Sequence, residues 1–131
     1  MTDAEAVLAA NLEFYRAFGR GDYAGMDAVW ARRAAVLCLH PGWSAIEGRE
    51  AVMESWRRVL GDPDFRITCH DWRAHIYGDL AIVLCEEELA GSGVLAATNV
   101  FIREDGIWRM IHHQASAIIP SYRTETPAQL H

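Results

Sequence analysis

The amino-acid sequence predicts an α+β fold in which helices pack on the concave side of a curved antiparallel sheet. Apolar residues recur at helical spacing in the first half of the chain, whereas four long segments of alternating polarity fill the second half. Short glycine-containing turns separate these four segments, which is typical of a meander. The predicted order is ααβαββββ in one domain over residues 1–131. A strongly twisted sheet of this length can curl into a cone with a blind cavity.

Residues with turn or capping chemistry mark the ends of the elements in the first half of the chain. Thr2 or Asp3 can cap the first helix, and glycines follow its last apolar residue. The predicted elements are helices over residues 4–19, from Asp22 onward and from about Arg49 to Gly61, and a strand over Ala34–His40.

The long strands are predicted over residues 65–77, 80–90, 94–104 and 107–119. Asp105-Gly106 predicts a two-residue hairpin, because a type I′ turn needs positive φ at both central positions. This register places Asn99 opposite His112 on the concave face and turns His113 to the convex face.

The other two turns set the register of the remaining strands. A tight turn at Gly78-Asp79 pairs Tyr77 with Leu80, which places His70 opposite Glu87 and Trp72 opposite Cys85. The loop around Gly91-Ser92-Gly93 is ambiguous by one residue, and a slip of one residue exchanges the two faces of a strand. A three-residue loop directs Glu87 to the concave face, whereas a slip would direct Glu86 and Glu88 there.

Polar side chains are therefore predicted among large apolar ones on the concave face. The candidates for acid–base chemistry are His40, His70, Glu87, Asn99 and His112. The candidate walls of a ligand pocket are Phe14, Tyr15, Phe18, Trp43, Trp56, Trp72, Phe101, Trp108, Met110 and Gln114. Purely structural alternatives remain open: a self-satisfied Asn99–His112 pair, a His70–Glu87 ion pair that fixes register, and a His40 that caps a strand at the surface.

Composition excludes several classes of protein. A chain of 131 residues with 51% hydrophobic content predicts a soluble globular domain with a real core. A formal charge of −6 without any basic run argues against nucleic acid or an anionic membrane as partner. The first residues have neither a basic nor a long apolar run, so we expect no signal peptide or membrane span.

Residue spacing also leads us to expect neither disulfides nor a metal site. Cys38, Cys69 and Cys85 show no disulfide or metal spacing, which favours buried, reduced thiols in a cytoplasmic protein. The candidate histidines and Glu87 lack the spacing of a helix or hairpin metal motif, so we expect no metal and no cofactor.

A series of short segments, in order, carries a family resemblance. The segments are Gly21-Asp22, Cys38–Gly42 followed by Gly48–Trp56, Gly78–Ala81, Ala97–Phe101 and Gly106–His113. Together they resemble the SnoaL-like branch of the nuclear transport factor 2 superfamily, whose cone-shaped folds include ketosteroid isomerases, scytalone dehydratases and polyketide cyclases. The resemblance covers nearly the whole chain and implies the cone fold, also called cystatin-like.

The resemblance also implies positions for a proton-transfer site. In ketosteroid isomerases the general base is a carboxylate before a proline at the end of the first strand, and this position matches His40. A tyrosine of the first helix and a protonated aspartic acid of the third meander strand stabilise the enolate there. The matching positions are Phe14, with Tyr15 beside it, and Asn99. Asn99 can donate a hydrogen bond to a carbonyl oxygen, whereas Phe14 cannot.

The sequence thus predicts a cone pocket for a small hydrophobic carbonyl compound. If the protein is an enzyme, we expect cofactor-free isomerisation, dehydration or cyclisation by proton transfer. His40 or the His70–Glu87 pair would then be the base, and Asn99 and His112 would polarise the oxygen. The alternative is a non-catalytic module that binds a small ligand or mediates dimeric interactions.

The convex face of the sheet predicts a homodimer. Its apolar residues are Leu80, Ile82, Leu84, Val100, Ile102 and Ile111. A contiguous apolar patch is uncommon on a monomer, and all three helices are needed on the concave side. We therefore expect a second copy to cover this face about a two-fold axis, an arrangement that the family resemblance also implies.

Overall fold

The computed structural model describes residues 1–124. Its elements are α1 (Asp3–Arg20), α2 (Tyr23–Val29), β1 (Leu37–Leu39), β2 (Ile46–Glu47), α3 (Arg49–Leu60), β3 (Ile67–Tyr77), β4 (Leu80–Leu89), β5 (Val94–Glu104), β6 (Ile107–Ala117) and a 3₁₀ turn at Pro120–Tyr122. The predicted α+β class is confirmed. The observed order is ααββαββββ, because the two-residue strand β2 follows β1.

The six strands form one curved sheet in the order β2-β1-β6-β5-β4-β3. Strands β3 to β6 make the predicted antiparallel meander, while β1 lies parallel to β6. Helix α1 packs against β3, β4 and β6, and α3 packs against β1 and β2. The helices therefore cover the concave side. No helix among residues 1–124 is long and apolar enough to cross a membrane.

Local chemistry fixes both ends of α1. At its start, the Thr2 side chain accepts a hydrogen bond from the Glu5 backbone N–H, and the Glu5 carboxylate accepts one from the Thr2 backbone N–H. At its end, Gly21 takes the left-handed conformation with φ of 64°. A Cβ at Gly21 would also lie 3.3 Å from the Leu60 carbonyl oxygen, so glycine suits both the turn and the close approach to α3.

Glu104 anchors the β5–β6 hairpin to the segment between α2 and β1. Its carboxylate accepts hydrogen bonds of 2.9 Å from the backbone N–H groups of Arg32, Arg33 and Ala34. These hydrogen bonds favour the ionised form and lower the pKa of Glu104 to about 2. The hairpin is thereby tied to a segment about 70 residues earlier in the chain.

The β5–β6 register differs from the prediction beyond a β-bulge at Ile111. Phe101 pairs with Met110 as predicted, but Val100 pairs with His112, so two residues of β6 oppose one residue of β5. Asn99 consequently pairs with His113. The predicted placement of His112 on the concave face and His113 on the convex face is wrong, because the extra residue shifts the alternation by one.

A second bulge changes the β3–β4 pairing. Tyr77 pairs with Leu80 as predicted, but the register shifts between His70 and Arg73, where Asp71 has φ of 57°. His70 therefore pairs with Glu86, and Cys69 pairs with Glu87. The predicted pairing of His70 with Glu87 is wrong for this reason, whereas Asp71 and Trp72 both lie opposite Cys85 in the bulge.

The β4–β5 pairing retains the predicted faces. Val83 pairs with Asn99 and Cys85 with Ala97, which is a slide of two residues from the predicted rows. A slide of two preserves the alternation, so Ala81, Val83, Cys85 and Glu87 share the concave face with Asn99 and are buried.

We predict that Glu104→Gln lowers the free energy of unfolding by about 2 kcal/mol at pH 7, because a neutral amide accepts backbone hydrogen bonds more weakly than a carboxylate. Since the folded pKa is lowered to about 2 from 4.5, this stabilisation is present above pH 4.5 and is lost as the pH falls towards 2. Urea denaturation at pH 7 and pH 3 measures the difference, with the exposed Glu47→Gln as control. An equal loss at both pH values would contradict the carboxylate's role.

Candidate functional site

A cluster of polar side chains lies inside the cone between α1 and the concave face of the sheet. Its members, called here the interior polar cluster, are Asn11, Tyr15, Glu87, Asn99 and His113. None is more than 5% exposed, and most of their neighbours are apolar. Polar groups at this depth need hydrogen-bond partners, so their pairing determines what the cluster can do.

Asn99 is the hub of the cluster. Its amide nitrogen donates to the Asn11 side-chain oxygen at 2.8 Å and to the Tyr15 hydroxyl oxygen at 3.0 Å. Its amide oxygen accepts a hydrogen bond of 2.6 Å from Nδ1 of His113. The Asn99 side chain therefore joins the helix α1 to strand β6 through strand β5.

Glu87 is a buried carboxyl group with one hydrogen-bonded oxygen. The Tyr15 hydroxyl donates to Oε2 of Glu87 at 2.5 Å, whereas Oε1 has no partner among the described residues. Removal from water raises the pKa of Glu87 to about 7, which the Tyr15 hydrogen bond moderates. The same burial, together with the charge of Glu87, raises the pKa of Tyr15 well above its usual value.

The imidazole of His113 is neutral and lies beside Glu87. Nδ1 carries the proton that is donated to Asn99, which leaves Nε2 unprotonated at 3.7 Å from Oε2 of Glu87. Burial, together with the nearby His40 and His112, lowers the pKa of His113 to about 3. The pair is therefore a neutral imidazole beside a carboxyl group that titrates near neutrality.

Aromatic rings wall off the interior polar cluster. The rings of Phe14 and Phe18 pack edge-on against Trp56 with centroid separations of 5.3 and 4.9 Å. Phe14 also contacts His113, and Phe101 and Met110 are fully buried on the sheet side. These predicted wall residues thus lie in the core around the cluster, where they keep the dielectric low.

His40 packs against Trp56, which also contacts His113. Its Nε2 is 2.8 Å from the Ser55 hydroxyl, and that hydroxyl donates to the Val52 carbonyl oxygen at 2.6 Å. Nε2 of His40 is therefore the donor in the His40–Ser55 hydrogen bond. Burial lowers the pKa of His40 to about 4, so the ring is neutral at physiological pH.

Two predicted site residues lie on the convex face. His112 pairs with Leu37 and Val100 and is half-buried, while Gln114 pairs with Thr98 and is exposed. Partial burial lowers the pKa of His112. The structure therefore separates both residues from Glu87 and Asn99.

His70 also points away from the interior. Nδ1 of His70 lies 3.4 Å from Asp71 and 4.0 Å from Glu86, and the three side chains could offer ligand atoms to a cation. Arg123 already pairs with Glu86 at 2.5 Å. The arrangement is thus a partly exposed ion-pair network in which the Arg123 guanidinium already pairs with the Glu86 carboxylate.

The remaining tryptophans that were predicted to line the pocket do not belong to the ring of aromatic residues around the interior polar cluster. Trp43 is 39% exposed and packs against His40, and Trp72, at the bulge in β3, is also 39% exposed. Trp108 is nearly buried under the Arg103 guanidinium at 4.7 Å from its ring centroid.

Two of the hollows beside α1 differ in their relation to the interior polar cluster. One, of about 460 Å³, lies between α1, α2 and the β5–β6 turn and is lined by Ala6, Ala10 and Trp108 but by no member of the interior polar cluster. The other, of about 300 Å³, lies between α1 and β3 and has Tyr15 in its lining. Of these two hollows, the second adjoins the interior polar cluster.

Sequence reasoning found Tyr15, Glu87 and Asn99 but missed Asn11 and His113. Asn11 carried a detectable signal, since it lies four residues after Val7 and four before Tyr15 on the apolar face of α1. His113 carried none, because no residue near Ile111 marks a bulge by its chemistry.

The comparisons with known proteins place this architecture in a family. The SnoaL-like domain model matches residues 7–120, so the chain belongs to the SnoaL-like family. Among curated proteins, the F-box protein SKIP8 of Arabidopsis thaliana is 28% identical over 116 residues. The match covers 87% of this chain and 50% of SKIP8, so the chain spans about half the length of that relative.

Several solved structures are similar to this chain and are consistent with its membership of the SnoaL-like family. A candidate dehydratase of the NTF2-like family from Streptomyces avermitilis is 32% identical, with a TM-score of 0.79 over 89% of this chain and 96% of that one. A candidate calcium/calmodulin-dependent protein kinase type II association domain from Thiobacillus denitrificans is 34% identical, with a TM-score of 0.76 over 86% and 94%. A candidate ketosteroid isomerase from Parabacteroides distasonis, 16% identical with a TM-score of 0.73 over 92% and 91%, shares the fold.

We predict that Glu87→Gln changes the pH dependence of stability. The folded pKa of about 7 exceeds the ordinary 4.5, so the protonated carboxyl favours folding fully below pH 4.5, and this advantage is lost as the pH rises to about 7. At pH 9 the variant should be more stable than the unmodified protein by up to about 3 kcal/mol, and at pH 5 nearly equal to it.

Urea denaturation at pH 5 and pH 9 measures this difference. Glu47→Gln, which removes an exposed carboxylate on β2, is the control and should show no such change between the two pH values. A Glu87→Gln variant that is equally destabilised at both pH values would show that Glu87 titrates normally.

Proposed function

We propose that this protein binds a small carbonyl compound inside the cone and moves a proton on it, with Glu87 as the base. The supporting observation is a pair of unpartnered polar atoms in one buried cluster: Oε1 of Glu87, an acceptor, and Nδ2 of Asn11, a donor. A carbonyl compound with an acidic C–H group complements both, because its oxygen accepts a hydrogen bond and its carbon supplies a proton.

The electrostatics of Glu87 suit this reaction. A base works best when its pKa is near the working pH, and burial raises the pKa of Glu87 to about 7. The Tyr15 hydroxyl holds Oε2, which leaves the lone pairs of Oε1 free. His40, the position matched by the family resemblance, is a weaker candidate because its pKa is lowered to about 4.

The proposed step forms an enolate. Ionised Glu87 takes a proton from the carbon next to the carbonyl, the C–H electron pair becomes the C=C bond, and the carbonyl π pair moves to oxygen. The Asn11 amide N–H stabilises the resulting negative charge by a hydrogen bond. Protonated Glu87 then returns the proton to another carbon, giving an isomer, or to a departing hydroxide, giving water and an unsaturated product.

The Streptomyces avermitilis relative supports this class of reaction. It is a candidate dehydratase, 32% identical to this chain. Loss of water from a β-hydroxy carbonyl compound begins with the same proton removal as isomerisation. The Tyr15–Glu87–Asn99 arrangement is compatible with either outcome, since only the fate of the proton differs.

Exchange of deuterium into 2-tetralone in D₂O tests the proposal, because it needs a base and an oxyanion donor but no particular product. The unmodified protein should accelerate exchange, with a rate that rises with pH through about 7 as Glu87 ionises. Glu87→Gln should lower the rate about 100-fold or more. Mass spectrometry measures the uptake of deuterium.

Two further variants belong to this exchange experiment: Glu88→Gln is the control, and Asn11→Leu tests the hydrogen-bond donor to the enolate. The first should leave exchange unchanged, and the second should slow it because the enolate loses a donor. Exchange that is equal in the unmodified protein and Glu87→Gln would overturn the proposal. Binding of 2-naphthol, an enolate mimic, without any exchange would instead favour a ligand-binding module, the alternative consistent with the deep burial of the cluster.

We also propose that the chain forms a homodimer through the convex face. The supporting observation is that Val100, Ile102 and Ile111 are only partly covered and that the neighbouring Leu37 is 39% exposed. Among residues 1–124, the helices lie on the other side of the sheet. A second copy would remove this apolar surface from water.

Val100→Asp should therefore give monomers or insoluble protein, because a carboxylate at the interface would be buried without a partner. Ile107→Asp, at an exposed apolar residue of the β5–β6 turn, is the control and should assemble normally. Light scattering at micromolar concentration measures the mass. An unmodified protein that is monomeric under these conditions would contradict the proposal.

A further inference from the structure

The hollow between α1 and β3 has the walls of a small-ligand site. Its volume is about 300 Å³, the lower end of the range of ligand pockets. Leu12 on α1 and Trp72 on β3 line it, and both are unusually exposed for apolar side chains, at 40% and 39%. A planar apolar ligand would cover both side chains.

Positive charge lies along the α1 side of the hollow. Arg16 and Arg20, four residues apart on one face of the helix, belong to its lining. Arg16 pairs with the exposed Glu13 at 2.6 Å, while Arg20 takes part in no ion pair among residues 1–124. The lining contains no carboxylate, although the chain carries a net charge of −6.

Two residues that line the hollow lie next to Glu87. Tyr15 belongs both to the lining and to the interior polar cluster, where its hydroxyl contacts Glu87. Cys69, another residue of the lining, pairs directly with Glu87 across β3 and β4, so both side chains point to the same face. The hollow thus lies one side chain away from the buried carboxyl group.

We propose that this hollow is the entrance to the Glu87 site, and that it selects a small planar ligand whose carboxylate is held by Arg20 and Arg16. The ring of the ligand lies between Leu12 and Trp72. This inference rests on the proposed function for the role of Glu87, but the binding of the carboxylate does not depend on catalysis. The substrate class is therefore an aromatic or unsaturated carbonyl compound that also carries a carboxylate.

A comparison of 2-naphthoate with the neutral 2-naphthamide tests the carboxylate. Calorimetry at pH 8 should show naphthoate binding about tenfold more tightly or better, since a charged hydrogen bond is stronger than a neutral one. Arg20→Gln should abolish this preference, and Arg16→Gln should reduce it. Arg33→Gln changes the net charge equally but lies in an exposed ion pair with Asp105, so it should leave the preference intact.

Inhibition of 2-tetralone exchange tests the entrance. Naphthoate should inhibit exchange competitively in the unmodified protein and weakly in Arg20→Gln. Equal binding of naphthoate and naphthamide, a preference that survives Arg20→Gln, or binding that leaves a Glu87-dependent exchange uninhibited would each overturn the inference.

The two proposals can fail separately. If naphthoate binds in an Arg20-dependent way but 2-tetralone shows no exchange that depends on Glu87, the proton-transfer function fails and the carboxylate site remains. If exchange depends on Glu87 but naphthoate neither binds nor inhibits, the entrance lies elsewhere and the function remains.

Discussion

The hydrogen bond between Asn99 and His113 holds the interior of this protein together. It exists only because Ile111 adds one residue to β6, which turns His113 inward and His112 outward. With His113 in place, the Asn99 amide orients its nitrogen towards Asn11 and Tyr15, and the Tyr15 hydroxyl is left to donate to Glu87. A single inserted residue thus orders a chain of hydrogen bonds from the sheet to the helix α1.

The cost of burying Glu87 explains its chemistry. A carboxylate inside an apolar cone loses its hydration, and the single strong hydrogen bond from Tyr15 compensates only part of that loss. The pKa of Glu87 consequently rises to about 7, and one oxygen remains without a partner. Glu104 shows the opposite case on the same sheet, since three backbone N–H groups satisfy its carboxylate and lower the pKa to about 2. The comparison separates a carboxylate that anchors structure from one that is available for chemistry.

The fold divides the surface of the sheet between two tasks. The concave face holds the aromatic wall and the interior polar cluster, while the convex face presents partly covered aliphatic residues such as Val100 and Ile102. A third feature lies at the bulge in β3, where Trp72 forms one wall of the hollow that Tyr15 also lines. The bulge in β6 therefore places His113 beside Glu87, and the bulge in β3 lies at the proposed entrance to Glu87.

The sequence by itself determined the helices, the long strands and the concave position of Glu87 and Asn99. These features depend on local signals: the capping residues of α1, the Asp105-Gly106 turn, and an alternation that survives a slide of two residues between β4 and β5. Only the tertiary structure decided which histidine meets Asn99 and which residue meets His70. Both depend on bulges, where one extra residue reverses the alternation. Ile111 has no side-chain chemistry that marks such a position, and Asp71, although aspartate tolerates the positive φ found there, lies inside a segment whose pattern predicts one continuous strand.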